Sequence, residues 1–526
     1  MSRRQAIPLC MNNADSPSAI HAQAAERDMP DQPQRRFGLS KSKITAFEQC
    51  PKRLWLQTHK PEVGELDPGA EMRFASGHLV GEVACALCPG GTMIEAEPDM
   101  KAALDRTAEL MASGGDLPLF EATFAHDGVL VRVDIMEPDG QGGWHVAEVK
   151  SSTSRKEYHI ADLATQLWVM REAGVQVSSA AIRHLNNQFI LTVEGDYRGL
   201  FADTPSLDEA KPIAAKRAKV IAEIREMLAG AEPDLGPGDH CTDPFPCDYQ
   251  AYCSRDIVPP RYPVSSLPRV NKQIVAKYAE AGIFELTDVP PGSFPNAVHA
   301  KIHAATVAGE PFHDCEGARQ AVSGWAYPRS YLDFETIAFA LPRWLGTKPW
   351  EQVPFQFSLH VESEDGGLAH HEFLSLDGND PRRACAEALV AKVPRDGCVI
   401  AYNAGFERSC LIRLAERFPD LEGDLRSIAE RLVDLLPVAR NHWYHPDQCG
   451  SWSIKAVLPT IPYASSYDEL EVGDGAAAQM AYFEAINPET CSERRGNLET
   501  SLKIYCAKDT FAMIEVLRHL VGGPSA

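Results

Sequence analysis

Between Val131 and Ser152 the chain puts charge inside strands that are otherwise apolar. VRVDIM is followed by an Asp139-Gly140-Gln141-Gly142-Gly143 turn and then by WHVAEVKSS. Alternation along a strand places Glu148 and Lys150 on one face, and Asp134 lies across from them if the hairpin pairs. Two acids of this kind can hold a hard cation such as Mg²⁺ through oxygen, with the ammonium orienting an attacking water. The plain alternative is a solvated Glu/Lys pair, since Glu-x-Lys is common. Against it, Trp144 and Val146 share the Glu148 face, and charges in an apolar strand need a reason. Gln166 sits at helical spacing from Leu163 and Met170, toward the buried stripe, where its amide must find a polar partner.

Around this motif, FEATFAHDGVLVRVDIMEPDGQGGWHVAEVKSST reads as a three-stranded meander with a turn at His126-Asp127-Gly128. IADLATQLWVMREAG reads as an amphipathic helix ended by Gly174. VSSAAIRHLNN and QFILTVE read as strands, and SLDEAKPIAAKRAKVIAEIREMLAG as one long helix ending at Gly230. Residues 1–37 lack a sustained apolar period and read as a disordered leader. Ser40, Ser42 or Thr45 can cap the first helix.

The 526 residues are enough for several domains. A formal charge of −22 excludes a generally basic coat, so a nucleic acid would have to meet local basic patches. No stretch approaches a membrane span, and no convincing signal peptide opens the chain. The 14 cysteines then fit a reducing, cytoplasmic setting, in which thiols pack, react or bind metal. Cys241, Cys247 and Cys253 recur with five residues between each pair in a Pro-rich polar loop with no core to bury them, and Cys50 lies far upstream. Four thiolates suit either zinc or an iron–sulfur cluster. Cys85 and Cys88 read as helix core, and Cys506 and the other scattered cysteines as packing.

A second α/β pattern begins near Trp325, with YLDFETI, FQFSLHVE, HHEFLSL and CVIAYNAG as strands. Asp333 and Glu335 share a strand face, where two carboxylates repel unless a cation sits between them. Tyr505 and Asp509, four apart on a helix, stack on one side, and Asn403 and Glu407 follow a buried strand. Acids delivered from separate elements suit a two-metal phosphodiesterase. Asp434, in RLVDLLP, is a further candidate or a helix cap.

Asp134, Glu148-Val149-Lys150 and Gln166, with LSKSKITAFEQCPKRLWL, resemble the RecB-like branch of the PD-(D/E)XK nucleases, especially its CRISPR-associated and AddB-type iron–sulfur members. The resemblance implies a restriction-endonuclease-like mixed sheet over residues 38–257. It makes Asp134 and Glu148 metal ligands and Lys150 catalytic, with a 4Fe–4S cluster on Cys50, Cys241, Cys247 and Cys253 and zinc as the alternative. Relatives often add a histidine ligand; only His78 and Glu82 stand near its place. The sequence from Asp333 to Asp509 resembles the DEDD exonucleases of the RNase H-like superfamily in their tyrosine variant, which implies an RNase H-like α/β domain over residues 323–526. There Asp333, Glu335, Glu407 and Asp509 are carried over as ligands of Mg²⁺ or Mn²⁺, with Glu407 where the family has Asp, and Tyr505 positions the water. The pair together resembles a bacterial family defined by this fusion.

Residues 258–322 read as a small helical connector and resemble a helix-hairpin-helix, with Gly282 as the turn and Lys272 and Lys277 as phosphate contacts. Arg35, Arg36, Lys41, Lys43, Lys52 and Arg53 form an early basic cluster with the same potential use. The resulting expectation is an α/β multidomain nuclease acting on DNA or RNA, with no membrane association. The alternative is a nucleic-acid-binding scaffold in which one or both sites are inactive.

Overall fold

The computed structural model describes residues 38–65, 69–113, 117–467 and 470–522. The leader expected over residues 1–37, with Arg35 and Arg36, lies outside them. The chain is mixed α/β and divides into two compact units, one formed chiefly by Phe74–Phe189 and Tyr197–Cys253 with the helices that precede them, the other chiefly by Ser254–Ala526. No helix among the described residues is long and apolar enough to cross a membrane.

The first unit is built on a six-stranded sheet in sequential order: β1 (Thr92–Met93), β2 (Leu119–His126), β3 (Val129–Pro138), β4 (Trp144–Lys150), β5 (Val177–Leu185) and β6 (Phe201–Pro205). The β1–β2 and β4–β5 pairs are parallel and the others antiparallel. The β2–β3 turn works because Asp127 and Gly128 take φ of 44° and 67°, the pairing of left-handed residues that a tight hairpin favours. The β3–β4 turn is held by Asp139 Oδ1, which accepts from the N–H groups of Gln141 and Gly143 at 2.7 and 2.8 Å. The helix Glu157–Glu172 lays Leu163, Leu167 and Met170 into a core shared with Val131, Val133 and Ile182. Burying this apolar face contributes more to holding the helix in place than its intrinsic propensity does.

Two expectations give way here. QFILTVE forms no strand: Ile190–Asp196 belongs to the second unit, where Leu191 exchanges backbone hydrogen bonds of 3.0 and 2.7 Å with Thr347 and Gly346, outside any ladder, and the sheet of the first unit closes with Phe201–Pro205. The long helix is two helices, Leu207–Ala214 and Arg217–Ala229. Pro212 lies inside the first and cannot donate a helical hydrogen bond, and the last turn tightens through Lys216 N–H to the Ile213 carbonyl.

In the second unit, a small pair is formed by β7 (Phe312–His313) and β13 (Trp443–Tyr444). The main sheet contains β8 (Arg329–Ile337), β9 (Val353–Glu362), β10 (Leu368–Leu374), β11 (Cys398–Ala401) and β12 (Leu432–Asp434) in the order β10-β9-β8-β11-β12. The three strands on the β10 side are antiparallel, and β8, β11 and β12 run parallel. The short β12 carries Asp434 to the sheet beside Ala401. Connector residues Val264, Leu286, Phe294 and Ile302 share an apolar core with Tyr331 and Ile400 of this sheet. The 29-residue helix Ser492–Leu520 is tied to β9 by Gln356 Nε2 donating to the Leu502 carbonyl at 2.9 Å and by a 2.7 Å bond between the Ser358 and Thr510 hydroxyls.

Candidate metal centres

The β3–β4 register pairs Ile135 with Ala147 and Met136 with Val146, which continues to set Asp134 beside Glu148. Asp134 Oδ2 accepts from the Val149 N–H at 2.7 Å. Lys150 Nζ lies 2.9 Å from Glu148 Oε1 and 2.7 Å from Asp162 Oδ2. Gln166 Nε2 donates to Glu148 Oε2 and, at 3.1 Å, to the Arg132 carbonyl, while its Oε1 is buried without a partner. Lys41, from the helix Lys41–Gln49 capped by Ser40, reaches both oxygens of Glu148.

The electrostatics follow from this crowding. Burial works against the Glu148 charge, but Lys150 and Lys41 together hold its carboxyl down at about 2. Asp134 is pushed up to about 7, first by burial and then by Glu148 beside it. Burial of Lys150 opposes its charge, yet Glu148 and Asp162 raise its pKa. Charge on these groups is therefore balanced locally, with Asp134 the one that gains most from a further cation.

Sequence reasoning missed Asp162, Thr45, which donates to Asp162 Oδ1 at 3.1 Å, and Glu121. Glu121 sits between the paired residues Phe120 and Ala122 of β2, which face Ile135 and Val133, and its charge acts on Asp134. Its φ is 56°, and Arg132 Nε lies 3.1 Å from its Oε2. The positive φ leaves no trace in composition, although a Glu inside an apolar strand was a signal. His78 and Glu82 lie exposed on the helix Ala70–Ala86.

The four candidate cluster cysteines all lie in the first unit. Cys50 separates the helices Lys41–Gln49 and Pro51–His59, and Cys241 is buried in the loop after residue 230. Burial raises the thiols of Cys247 and Cys253, and both feel the thiols of Cys50 and Cys241. The Cys247 N–H donates to the Cys241 carbonyl at 2.9 Å. Gln49 Nε2 stitches the two segments together through the carbonyls of His240 and Phe245 at 2.8 and 2.7 Å. Lys52 pairs with Glu232 at 3.1 Å and Arg53 with Asp248 at 3.7 Å, so both basic residues face acids of the same loop. Lys43 donates to the Gly38 carbonyl at 2.8 Å. Lys272 and Lys277 are exposed on the helix Lys272–Glu280, and Gly282 takes φ of 72° in the turn that follows.

In the second unit Asp333 and Glu335 project from β8, the central strand. With Cys506 they offer three ligand atoms within 4.8 Å of one another. Cys506 Sγ is 3.8 Å from Asp333 Oδ2. Asp509 lies one turn further along the same helix face and accepts the Tyr467 hydroxyl at 2.5 Å. Lys455 Nζ donates to Tyr505 Oη at 2.9 Å and to the Gly473 carbonyl at 2.8 Å. Asn403, at φ 68°, turns the chain sharply after β11 into the helix Gly405–Arg417 and so brings Glu407 into its first turn; asparagine tolerates that conformation better than most residues. Glu407 is 3% exposed, and its Oε2 has no hydrogen-bond partner. Asp434 caps the following helix through Leu436 N–H and accepts from Asn403 N–H, both at 3.0 Å.

Asp333, Glu335, Glu407 and Asp509 are each pushed toward the neutral form. Burial, then Asp509 and Glu335, raise Asp333 well above the carboxylate range. Burial and Asp509 bring Glu335 to about 8, with Lys455 opposing, and burial brings Glu407 to about 7. Asp509 is raised by burial against the pull of Tyr467 and Lys455. Such a set is costly to ionise without a compensating cation, and the orphaned Glu407 oxygen and the oxygen-rich donor set fit a divalent one. Lys455, Tyr467 and the position of Cys506 escaped sequence reasoning. Nothing local distinguishes Lys455 or Tyr467, and Cys506 follows the apolar period of its helix.

A domain of unknown function (DUF2779) matches residues 330–453, which include Asp333, Glu335 and Glu407. No curated protein matches the chain. Among solved structures, the crystal structure of SSO0001 is similar at 15% identity over 42% of this chain and 87% of its own, with a TM-score of 0.22.

Proposed function

We propose that this chain is a divalent-metal-dependent nuclease with two separate hydrolytic sites, acting on DNA or RNA. The observation that carries the proposal is the meeting of Asp333 and Glu335 of β8 with the helix Ser492–Leu520, whose Asp509 acts electrostatically on both, together with the buried Glu407, one of whose oxygens has no hydrogen-bond partner. The strand order β10-β9-β8-β11-β12 supports an RNase H-like reading of this unit. The Asp134, Glu148 and Lys150 set on β3 and β4 of a mixed sheet supports a RecB-like reading of the other.

A bound cation supplies charge neutralisation at the attacked phosphate and acidifies the attacking water. Asp333, Glu335, Glu407 and Asp509 would hold such ions in one site, and Asp134 and Glu148 in the other. Tyr505 stands between the Lys455 ammonium and Asp509, so its hydroxyl is oriented before substrate arrives. Lys150, fixed by Glu148 and Asp162, presents its remaining N–H to a phosphate oxygen or to water. The nucleophile is water in both sites. Cys50, Cys241, Cys247 and Cys253 would hold an iron–sulfur cluster, which would fasten the helix pair at the start of the unit to the loop at its end, with zinc as the competing occupant.

The direct test incubates the full chain with end-labelled single- and double-stranded DNA and RNA in Mg²⁺ or in EDTA. Shortened products in Mg²⁺ alone are expected; intact strands throughout would reject catalysis. A scaffold without cleavage is the second reading. It is favoured by Glu407 standing where the resembled exonucleases have Asp and by the exposure of His78 and Glu82, and it predicts retention of the strands without shortening.

A further inference from the structure

Cys506 is the one feature of the second site that a purely oxygen-liganded nuclease does not need. It sits on the helix Ser492–Leu520, fully buried, with its Sγ 3.8 Å from Asp333 Oδ2 and 4.0 Å from the Asp333 carbonyl oxygen. Its sulfur, an Asp333 oxygen and a Glu335 oxygen all lie within 4.8 Å of one another, the spacing of three ligands around a single ion. A second observation points to the same place. The Glu407 carboxylate, 3% exposed, leaves Oε2 with no hydrogen-bond partner while its charge acts on both Asp333 and Glu335. A thiol that served only as packing had no need to face two carboxylates.

We infer that Cys506 is a direct metal ligand, so that one position of the second site is a mixed sulfur–oxygen site, made by Cys506, Asp333 and Glu335, that takes a thiophilic divalent cation of the Zn²⁺ or Co²⁺ kind. This rests on reading the second unit as a metal site and adds the class of ion. Carboxylates alone suit Mg²⁺ and Mn²⁺, whereas a thiolate selects softer ions. Binding releases to solvent the thiol proton and the protons that Asp333 and Glu335 hold, and the cation's two positive charges then face a thiolate and two carboxylates. Lys455, whose Nζ donates to Tyr505 Oη, adds positive charge beside Glu335 and so favours the ionised ligand set.

The full chain is titrated with Co²⁺ alone, and the near-ultraviolet sulfur-to-cobalt charge-transfer absorption is followed in wild type, Cys506→Ser, Asp333→Asn and, as a control, Cys449→Ser, whose thiol is exposed. A component of the band is expected to vanish in both Cys506→Ser and Asp333→Asn and to persist in Cys449→Ser. Loss in an aspartate variant places the sulfur beside that aspartate, which the other cysteines cannot mimic. A wild-type sample loaded with ¹¹³Cd²⁺ needs no variant: a resonance in the mixed sulfur–oxygen range, apart from any all-thiolate signal, is expected. An identical Co²⁺ band in wild type and Cys506→Ser, or no mixed-ligand cadmium resonance, overturns the inference. Mg²⁺-dependent strand cleavage measured on the same samples separates the two claims. Cleavage that Asp333→Asn abolishes, with no Cys506-dependent band, defeats the sulfur ligand alone. A Cys506-dependent band with no cleavage by wild type defeats the nuclease reading alone.

Discussion

Lys41 Nζ lies 3.0 Å from one oxygen of Glu148 and 3.1 Å from the other, across 107 residues of chain. The contact joins the first described helix to the sheet, and both side chains are mostly withdrawn from water, at 23% and 3% exposure. Lys41→Met is expected to lower the unfolding free energy by about 1.5–3 kcal/mol, the usual worth of a hydrogen bond to a charged group. Urea unfolding followed by tryptophan fluorescence measures it; an unchanged midpoint would show that Glu148 is held adequately by Lys150 and Gln166.

The raised acids of the second site give a pH dependence of definite sign. Glu335, brought to about 8, and Glu407, to about 7, keep protons that the unfolded chain releases near the ordinary value of about 4.3. Between those limits the folded state binds more protons, so this contribution to stability is present at low pH and lost as pH rises through the folded values. In EDTA, the wild-type Tm relative to Glu335→Gln is expected to fall from about pH 5 to about pH 8, and Mg²⁺ to reduce that fall. A wild-type advantage that grows with pH would contradict the site's electrostatics.

The cysteine set predicts colour. Chain purified without oxygen is expected to be brown and to carry about four irons per chain, as a 4Fe–4S cluster requires. Cys241→Ser is expected to lose both colour and thermal stability, because the loop after residue 230 is then tied to the helix pair only by contacts such as those of Gln49 and Lys52. Stoichiometric zinc in a colourless protein would replace the cluster with a zinc clip.

Lys272 and Lys277, exposed on one short helix, provide a test of phosphate binding. The double substitution to alanine is expected to weaken binding to single-stranded DNA regardless of its sequence. It should also reduce the steepness of the salt dependence by about 0.7 for each phosphate no longer neutralised. An unchanged slope would make this segment a structural part of the second unit only, consistent with the way Ile302 and Phe294 pack under its sheet.

What the sequence made legible was what repeats locally. Period-two alternation located β2, β3 and β4 and put Glu148 and Lys150 on one face; four-residue spacing put Tyr505 and Asp509 on one side of a helix. What it hid depends on partners remote in the chain. Leu191 looks like a strand residue until its backbone pairs with the Gly346–Thr347 loop. Lys41 looks like one of several solvated lysines until Glu148 is beside it. Lys455 and Tyr467 have no local pattern at all, and Cys506 satisfies the apolar face of its helix while also facing Asp333. The break between Ala214 and Arg217 was signalled by Pro212, whose effect on a helix is felt at its own position and in the turn around it.

The claim on which the account depends is that two separate sets of side chains each hydrolyse phosphodiester bonds. Mg²⁺-dependent degradation of end-labelled strands is compared among wild type, Lys150→Ala, Asp333→Ala and the double variant. Each single substitution is expected to remove one product pattern, with a loss of at least about 10²-fold, and to leave the other in place, and the double variant to leave strands intact. Degradation by the double variant at the wild-type rate would mean that neither site is the source of the activity.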